Sequence, residues 1–402
     1  MSVPSDRALP TPAISDAGSA YLDGLRALGA NLVIVAHVLA LYFGIKRYPF
    51  GSLGVTIFFL LSGFLIMQSM LSRAARPGVH VPAFMADRTA RILTPYVPAL
   101  VVIALANLAF IDGRYSEDGA NAGMLAFLGN LALLQDHSAF QFLDLVGIEL
   151  AWRIRPYNSA EPFWTVAIEM WIYVAAGLFF FCLIGRERLD RRWLFALTSI
   201  SFPVVVWNAA AGGGKSLSLI WIVGALIGLV FHRWRKTGYA NAPAVSIVMV
   251  AFGTIALIGR AGKVGFSPYD LQTATLLAIV MFGVLAYLLT IARFSDRWKR
   301  FLERAASYSY SLYLLHNTVL IATLESLPIE DLRVRAAIAV LLAHVCSYLL
   351  YLAFERHYRT VGAWLRPRFE RLLKVSELPE RATVPPPASA TTSLADFAVR
   401  KP

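Results

Sequence analysis

The chain has 402 residues, of which 57% are hydrophobic and only 15% charged, and its formal net charge is +12. Soluble globular domains carry about 25% charged residues, so a mean hydropathy of +0.60 excludes a single water-soluble core and points to lipid as the main solvent. The basic residues lie between apolar runs without a basic helix or an aromatic RNA-binding motif, which argues against a nucleic-acid partner.

Residues 1–20 lack the positive segment and apolar run of a cleaved signal and read as a disordered cytoplasmic tail. Ten apolar spans follow, at 24–44, 51–70, 92–111, 163–184, 194–210, 216–232, 241–259, 271–292, 306–325 and 335–355. Each approaches the roughly 20 residues needed to cross a hydrocarbon layer of about 30 Å. Residues 123–135 are apolar but short, which fits an interfacial or re-entrant piece better than a crossing. Residues 375–402 are rich in Pro, Ala, Ser and Thr and read as a second disordered tail. The expected fold is therefore an all-α polytopic membrane protein of about ten transmembrane helices, formed by residues 21–374. With the N-terminus in the cytoplasm, 22 Lys and Arg fall in inside loops and 10 in outside loops. That asymmetry follows the positive-inside rule and returns the C-terminus to the cytoplasm as well. Neither cysteine, Cys182 or Cys346, belongs to a metal-ligand pattern, so no metal is expected.

Ionisable groups inside a bilayer cost about 2.5–3.5 kcal/mol each and mark functional sites by default. In the first span, Arg26 and His37 are separated by three helical turns and share one face. Arg26 is expected at the cytoplasmic edge, where it is either a snorkelling side chain or a functional one, with Asp23 in reach as a partner. His37 falls near the midplane, and an imidazole is suited to general-base work. In the second span, Gly54, Ser62 and Gly63 permit close helix approach. Arg88 and Arg91 stand in the loop before a helix expected to begin near Ile92. They are either ordinary positive-inside charge or a pair that grips phosphate. Glu169 lies seven residues into the fourth span with Tyr173 one turn beyond it, and a carboxylate there must be protonated or partnered. Ser309, Tyr313 and His316 form a polar stripe on the ninth span, and His344, Tyr348, Tyr351 and Glu355 form another on the tenth. Such stripes line a cavity or a helix interface.

The segments YLDGLRALGANLVIVAHV, GVTIFFLLSGFLI, FMADRTARILTPY, EPFWTVAIEMWIYV and SYSYSLYLLH occur in an order that resembles the acyltransferase 3 family of membrane-bound O-acyltransferases. The resemblance covers about residues 20–355. It implies transfer of an acyl group, acetyl most commonly, from cytoplasmic acyl-CoA to a hydroxyl of a glycan or glycosylated acceptor, in a bacterial inner membrane. It further implies that His37 and Arg26 are the catalytic histidine and its partner, that Arg88 and Arg91 are the RxxR pair that takes the donor, and that Glu169 belongs to the Trp-containing fourth-helix motif. Trp164, Tyr173, Tyr313 and His316 are expected along the substrate path. The chain departs from many relatives in carrying Thr56 where they have an acidic residue, and no fused SGNH-type domain is expected.

In this reading His37 either deprotonates the acceptor hydroxyl or carries the acyl group transiently, and Glu169 either holds the His37 ring or is paired elsewhere. The alternative is a transporter or flippase of a lipid-linked glycan, although no internal repeat is evident. Oligomeric state is not encoded in any visible pattern.

Overall fold

The computed structural model describes residues 14–111, 121–148, 153–210, 216–291 and 294–375. Most of both expected tails, and the charged positions Asp112, Arg114, Glu117, Asp118, Lys215 and Arg293, lie outside the described residues. The described residues form fourteen α-helices in succession and contain no strand. They are α1 (Asp16–Phe43), α2 (Phe50–Ala74), α3 (Val81–Phe110), α4 (Met124–Leu131), α5 (Ala139–Leu145), α6 (Phe163–Gly177), α7 (Arg191–Ala210), α8 (Leu217–Trp234), α9 (Ala242–Val264), α10 (Leu271–Leu288), α11 (Asp296–Ser307), α12 (Ser309–Ser326), α13 (Leu332–Ala353) and α14 (Tyr358–Leu373). α6 runs on into a wider π-helical segment, Leu178–Ile184.

Nine of the described helices are long and apolar enough to cross a membrane, and the protein is an all-α polytopic membrane protein. They coincide with nine of the ten expected spans. The remaining span is α12, whose Ser309, Ser311, His316, Asn317, Thr318 and Thr323 are all buried. Its polar groups are enclosed by α1, α3 and α13 instead of meeting lipid. The helix is therefore central to the bundle while being the least apolar candidate.

Two boundaries differ from expectation. α1 begins at Asp16, within the stretch expected as tail, because Ser15 caps it by accepting from the Gly18 N–H at 3.2 Å and donates to the Leu288 carbonyl at 2.9 Å. α3 begins at Val81 and not near Ile92, so Arg88 and Arg91 lie on a helix and not in a loop. The Glu187 carboxylate accepts from the His80 and Val81 N–H groups at 2.9 and 3.0 Å, supplying acceptors to donors that a helix start leaves free. Hydropathy missed the first turns of α3 because Asp87, Arg88 and Arg91 interrupt their apolar run. The short apolar stretch at 123–135 forms α4 and a turn, not a crossing helix.

α2 packs on α8 through glycine. A Cβ on Gly63 would run into the Trp221 carbonyl oxygen, one on Gly224 into that of Leu60, and one on Gly228 would stand 2.8 Å from that of Phe64. α1 meets α2 in the same way at Gly29 and Gly54. Backbone contact of this kind brings helices together where lipid supplies no hydrophobic driving force. Gly63→Ala is accordingly expected to destabilise the bundle by about 1–3 kcal/mol through overpacking. Thermal unfolding in detergent checks this, with Gly259→Ala as the control, since a Cβ there meets nothing within 4 Å. Equal melting temperatures for the two variants would refute the close α2–α8 contact.

Charged side chains gather at one end of the bundle. Asp87 at the start of α3 receives Arg73 from the end of α2 and, at 2.9 and 3.1 Å, both arms of Arg366 from α14. α11 joins the start of α1 through Lys299 and Asp16, 2.6 Å apart. The opposite end carries the α9–α10 connection. There the buried Thr56 hydroxyl donates to the Pro268 carbonyl at 2.9 Å. Asp270 caps α10 nearby. Partial burial works against its ionisation, but hydrogen bonds from Thr273 and the Arg260 guanidinium prevail and hold it below the usual carboxylate range.

Candidate active site

α1, α2, α3, α6 and α12 enclose a cavity of about 170 Å³. Arg26, Arg88 and Arg91 stand in its wall, together with Ser62, Thr165, Glu169, Tyr173, Ser309, Tyr310 and Tyr313. The same three arginines border a wider space of about 690 Å³ at the charged end. Arg356, Arg359 and Arg366 add to its rim, against the acidic Asp23, Asp87, Glu303 and Glu355. A broad cationic mouth thus adjoins a narrow inner cavity, with three guanidinium groups shared between them.

The three arginines are not equivalent. Arg26 pairs with Asp23 at 2.7 Å, one turn earlier on α1. Arg91 pairs with Glu355 at 3.1 Å and lies over the Tyr358 ring at 4.8 Å. Glu355 is fully buried and also accepts from the Ser311 N–H and hydroxyl, so α3, α12 and the turn after α13 converge on one carboxylate. Arg88 has no carboxylate in ion-pair reach among the described residues, and its Nε is buried without a hydrogen-bond partner. Of the three, its guanidinium is the one without a carboxylate partner among the described residues. Pro95 follows Arg91 by one turn on α3 and cannot bond the Arg91 carbonyl, which loosens the ladder just past the arginine pair.

Glu169 does not reach His37. Its carboxylate accepts from the Tyr173 hydroxyl on the next turn of α6. Tyr173 also meets the Ser62 hydroxyl at 2.8 Å, and the Trp221 indole donates to Ser62 at 3.1 Å. Of the two roles considered for Glu169, pairing elsewhere is the one observed. The result is a polar chain from α6 through α2 to α8 on the cavity wall.

His37 lines neither cavity. The Phe58 and Tyr313 rings, 5.8 Å apart, form an aromatic partition in the wall of the inner cavity. The Tyr313 hydroxyl is tied to Thr165 at 2.6 Å. Behind Tyr313, at 5.9 Å, lies the His316 ring, and His316 meets His37 edge to face at 4.9 Å. The structure therefore brings Arg26, Arg88, Arg91, Glu169, Tyr173 and Tyr313 around one cavity and sets His37 and His316 together as a pair beside it. Trp164 packs on the hydrophobic core outside both cavity walls. Among the described residues no three His, Cys, Asp or Glu side chains come together as a metal site.

The family described as an acyltransferase domain, of the acyltransferase 3 type, matches residues 19–352. The chain belongs to that family. The acyltransferase 3 domain thus runs from within α1 to nearly the end of α13 and includes every residue lining the inner cavity. The chain is also similar to the exopolysaccharide production protein ExoZ of Rhizobium meliloti (strain 1021), at 26% identity over 280 residues, which cover 67% of this chain and 77% of that protein. No solved structure matches the chain. Within this acyltransferase, sequence reasoning did not find Tyr310, whose buried hydroxyl lacks a partner at the cavity wall, or Thr165. It placed Glu355 in a stripe without identifying its guanidinium. The Thr56 hydroxyl ties α2 to the α9–α10 connection.

Proposed function

We propose that this acyltransferase moves an acyl group, acetyl in the simplest case, from cytoplasmic acyl-CoA to a hydroxyl of an exopolysaccharide-type glycan, at a bacterial inner membrane. The observation that carries the reading is the change in width and charge at the three arginines. The outer space, at about 690 Å³, falls in the range of small-molecule sites, whereas the inner one is too narrow for a bulky group. Acyl-CoA has the matching shape: a phosphate-bearing nucleotide head on a slim neutral arm. Guanidinium groups hold phosphates through paired hydrogen bonds. Arg88, with its unpartnered Nε, is the natural donor to a phosphate oxygen. The mouth is assigned to the cytoplasm because the Lys and Arg of the inside loops collect at that end.

The inner cavity receives the pantetheine arm, and the Phe58–Tyr313 partition must part for the thioester to meet His37. There the His37 imidazole takes the proton of the acceptor hydroxyl, the oxygen attacks the thioester carbonyl carbon, and the CoA thiolate leaves. A route through acyl-His37 uses the same contacts. The similarity to a protein of exopolysaccharide production favours a glycan acceptor.

The test is release of free CoA thiol from acetyl-CoA by membrane vesicles carrying the protein, with and without added glycan. Glycan-dependent thiol release is expected, together with an acetyl increment on the glycan by mass spectrometry. Glycan crossing the membrane without any thiol release would replace this reading with the transport one.

A further inference from the structure

His37 and His316 come from α1 and α12, 279 residues apart in the chain, and their hydrogen bonds determine where each ring carries its proton. His316 is fully buried, and its Nδ1 lies 2.9 Å from the Tyr313 carbonyl oxygen and 3.1 Å from that of Leu312. Both partners only accept, so Nδ1 bears the hydrogen. A neutral imidazole has one N–H, and no carboxylate reaches this ring to favour a second. The Nε2 of His316 is therefore a lone pair, and it faces the Nδ1 of His37 at 3.4 Å. That same Nδ1 of His37 lies 2.9 Å from the Val33 carbonyl oxygen. Set between two acceptors, it must carry the His37 proton. The Nε2 of His37 is left as a lone pair without a protein partner among the described residues.

We propose that His316 is a positioning residue that locks His37 in the Nδ1–H form, making Nε2 the atom that exchanges protons with the substrate. The proposal deepens, and rests on, the reading of His37 as the base. In the reaction the acceptor hydroxyl gives its proton to His37 Nε2 as its oxygen bonds to the thioester carbon. The carbon–sulfur bond then breaks, and the departing thiolate takes that proton back from Nε2. Nδ1 keeps its hydrogen throughout. While the ring is positive, the Val33 carbonyl and the His316 lone pair face its Nδ1–H, a place that a carboxylate takes in many histidine-based catalysts. Glu169 is engaged with Tyr173 and does not serve here.

The experiment uses the full-length protein in lipid nanodiscs, labelled with ¹⁵N-histidine, with the His37 resonances assigned by their loss in His37→Ala. In the wild-type protein His37 is expected to show a protonated Nδ1 and an unprotonated Nε2. His316→Phe keeps a ring but removes the lone pair. With the Val33 carbonyl left as the single acceptor at Nδ1, the Nε2–H form of His37 is expected to gain population and kcat to fall by about 10- to 100-fold, the range seen when the hydrogen-bonding partner of a metal-ligating histidine is lost. KM for acetyl-CoA should stay unchanged. His316→Gln, which can present an acceptor oxygen, should recover part of kcat and of the tautomer signal. Wild-type kcat with an unmixed tautomer in His316→Phe would overturn the proposal while leaving the base assignment intact. Full activity in His37→Ala would instead remove the base assignment beneath it. Should His316→Phe not fold, the wild-type spectrum still decides, because an Nε2–H form of His37 contradicts the proposal.

Discussion

His37→Ala is expected to abolish acyl transfer while leaving the protein inserted and folded. Loss of a general base costs about 10²–10⁴ in rate, and a covalent role would make the loss complete. The structural cost is small by comparison. His37 is half-buried, touches its own helix at Val33 and one neighbouring ring, and joins no ion pair. A neutral hydrogen bond of this kind contributes about 1 kcal/mol. Transfer from radiolabelled acetyl-CoA in vesicles measures the first effect, and gel filtration in detergent measures the second. Normal acetylation by a well-folded His37→Ala protein would remove the central group of the proposed mechanism. The wild-type protein given donor alone separates the two routes, because only an acyl-His37 intermediate produces a burst of bound label.

Arg88→Ala and Arg91→Ala are expected to differ in kind. Arg88 supports no other side chain through an ion pair, so its removal should weaken donor binding and leave stability almost untouched. Hydrogen bonds to charged groups contribute about 1.5–3 kcal/mol, which corresponds to roughly a 10- to 100-fold rise in KM for acetyl-CoA. Arg91→Ala strands the Glu355 carboxylate, whose side chain is only 1% exposed, with Ser311 as its remaining support. Breaking a buried pair in this way costs about 3–5 kcal/mol, and the lower end applies because the Arg91 side chain is itself 35% exposed. Arg91→Ala should therefore lower both donor affinity and melting temperature. Adding Glu355→Gln should restore stability without restoring affinity. Isothermal binding of acetyl-CoA and thermal unfolding in detergent report the two quantities separately. Unchanged affinity in both single variants would reduce the pair to a topology signal.

The spans were legible because lipid imposes a simple rule on helices: length and apolarity decide. That rule found nine crossing helices with modest errors at their ends. It served less well where charges interrupt the early turns of a helix, as Asp87, Arg88 and Arg91 do in α3, since nothing in FMADRTARIL announces that Glu187, about a hundred positions later, caps it. Local spacing placed Arg88 beside Arg91 and Glu169 beside Tyr173 correctly, because i, i+3 and i, i+4 neighbours share a face whatever the tertiary fold. Contacts between distant helices were not legible. Arg91 with Glu355 and His37 with His316 depend on how α1, α3, α12 and α13 assemble. The shared face of Arg26 and His37 also proved less informative than it looked: the lower residue borders the cavity, and the upper one stands behind an aromatic wall.

The polarity of α12 also constrains how the chain is made. Synthesis proceeds from the N-terminus, so α1 and α3 are already in the bilayer when this segment leaves the ribosome, whereas α13 is still to come. A stretch carrying Asn317, His316 and several hydroxyls gains little from partitioning into bare lipid. Its entry into the membrane depends on neighbours that arrived earlier offering Ser159 and other acceptors for it to bond. The site is thus completed late in biogenesis, when a helix too polar to settle alone is taken in by those before it.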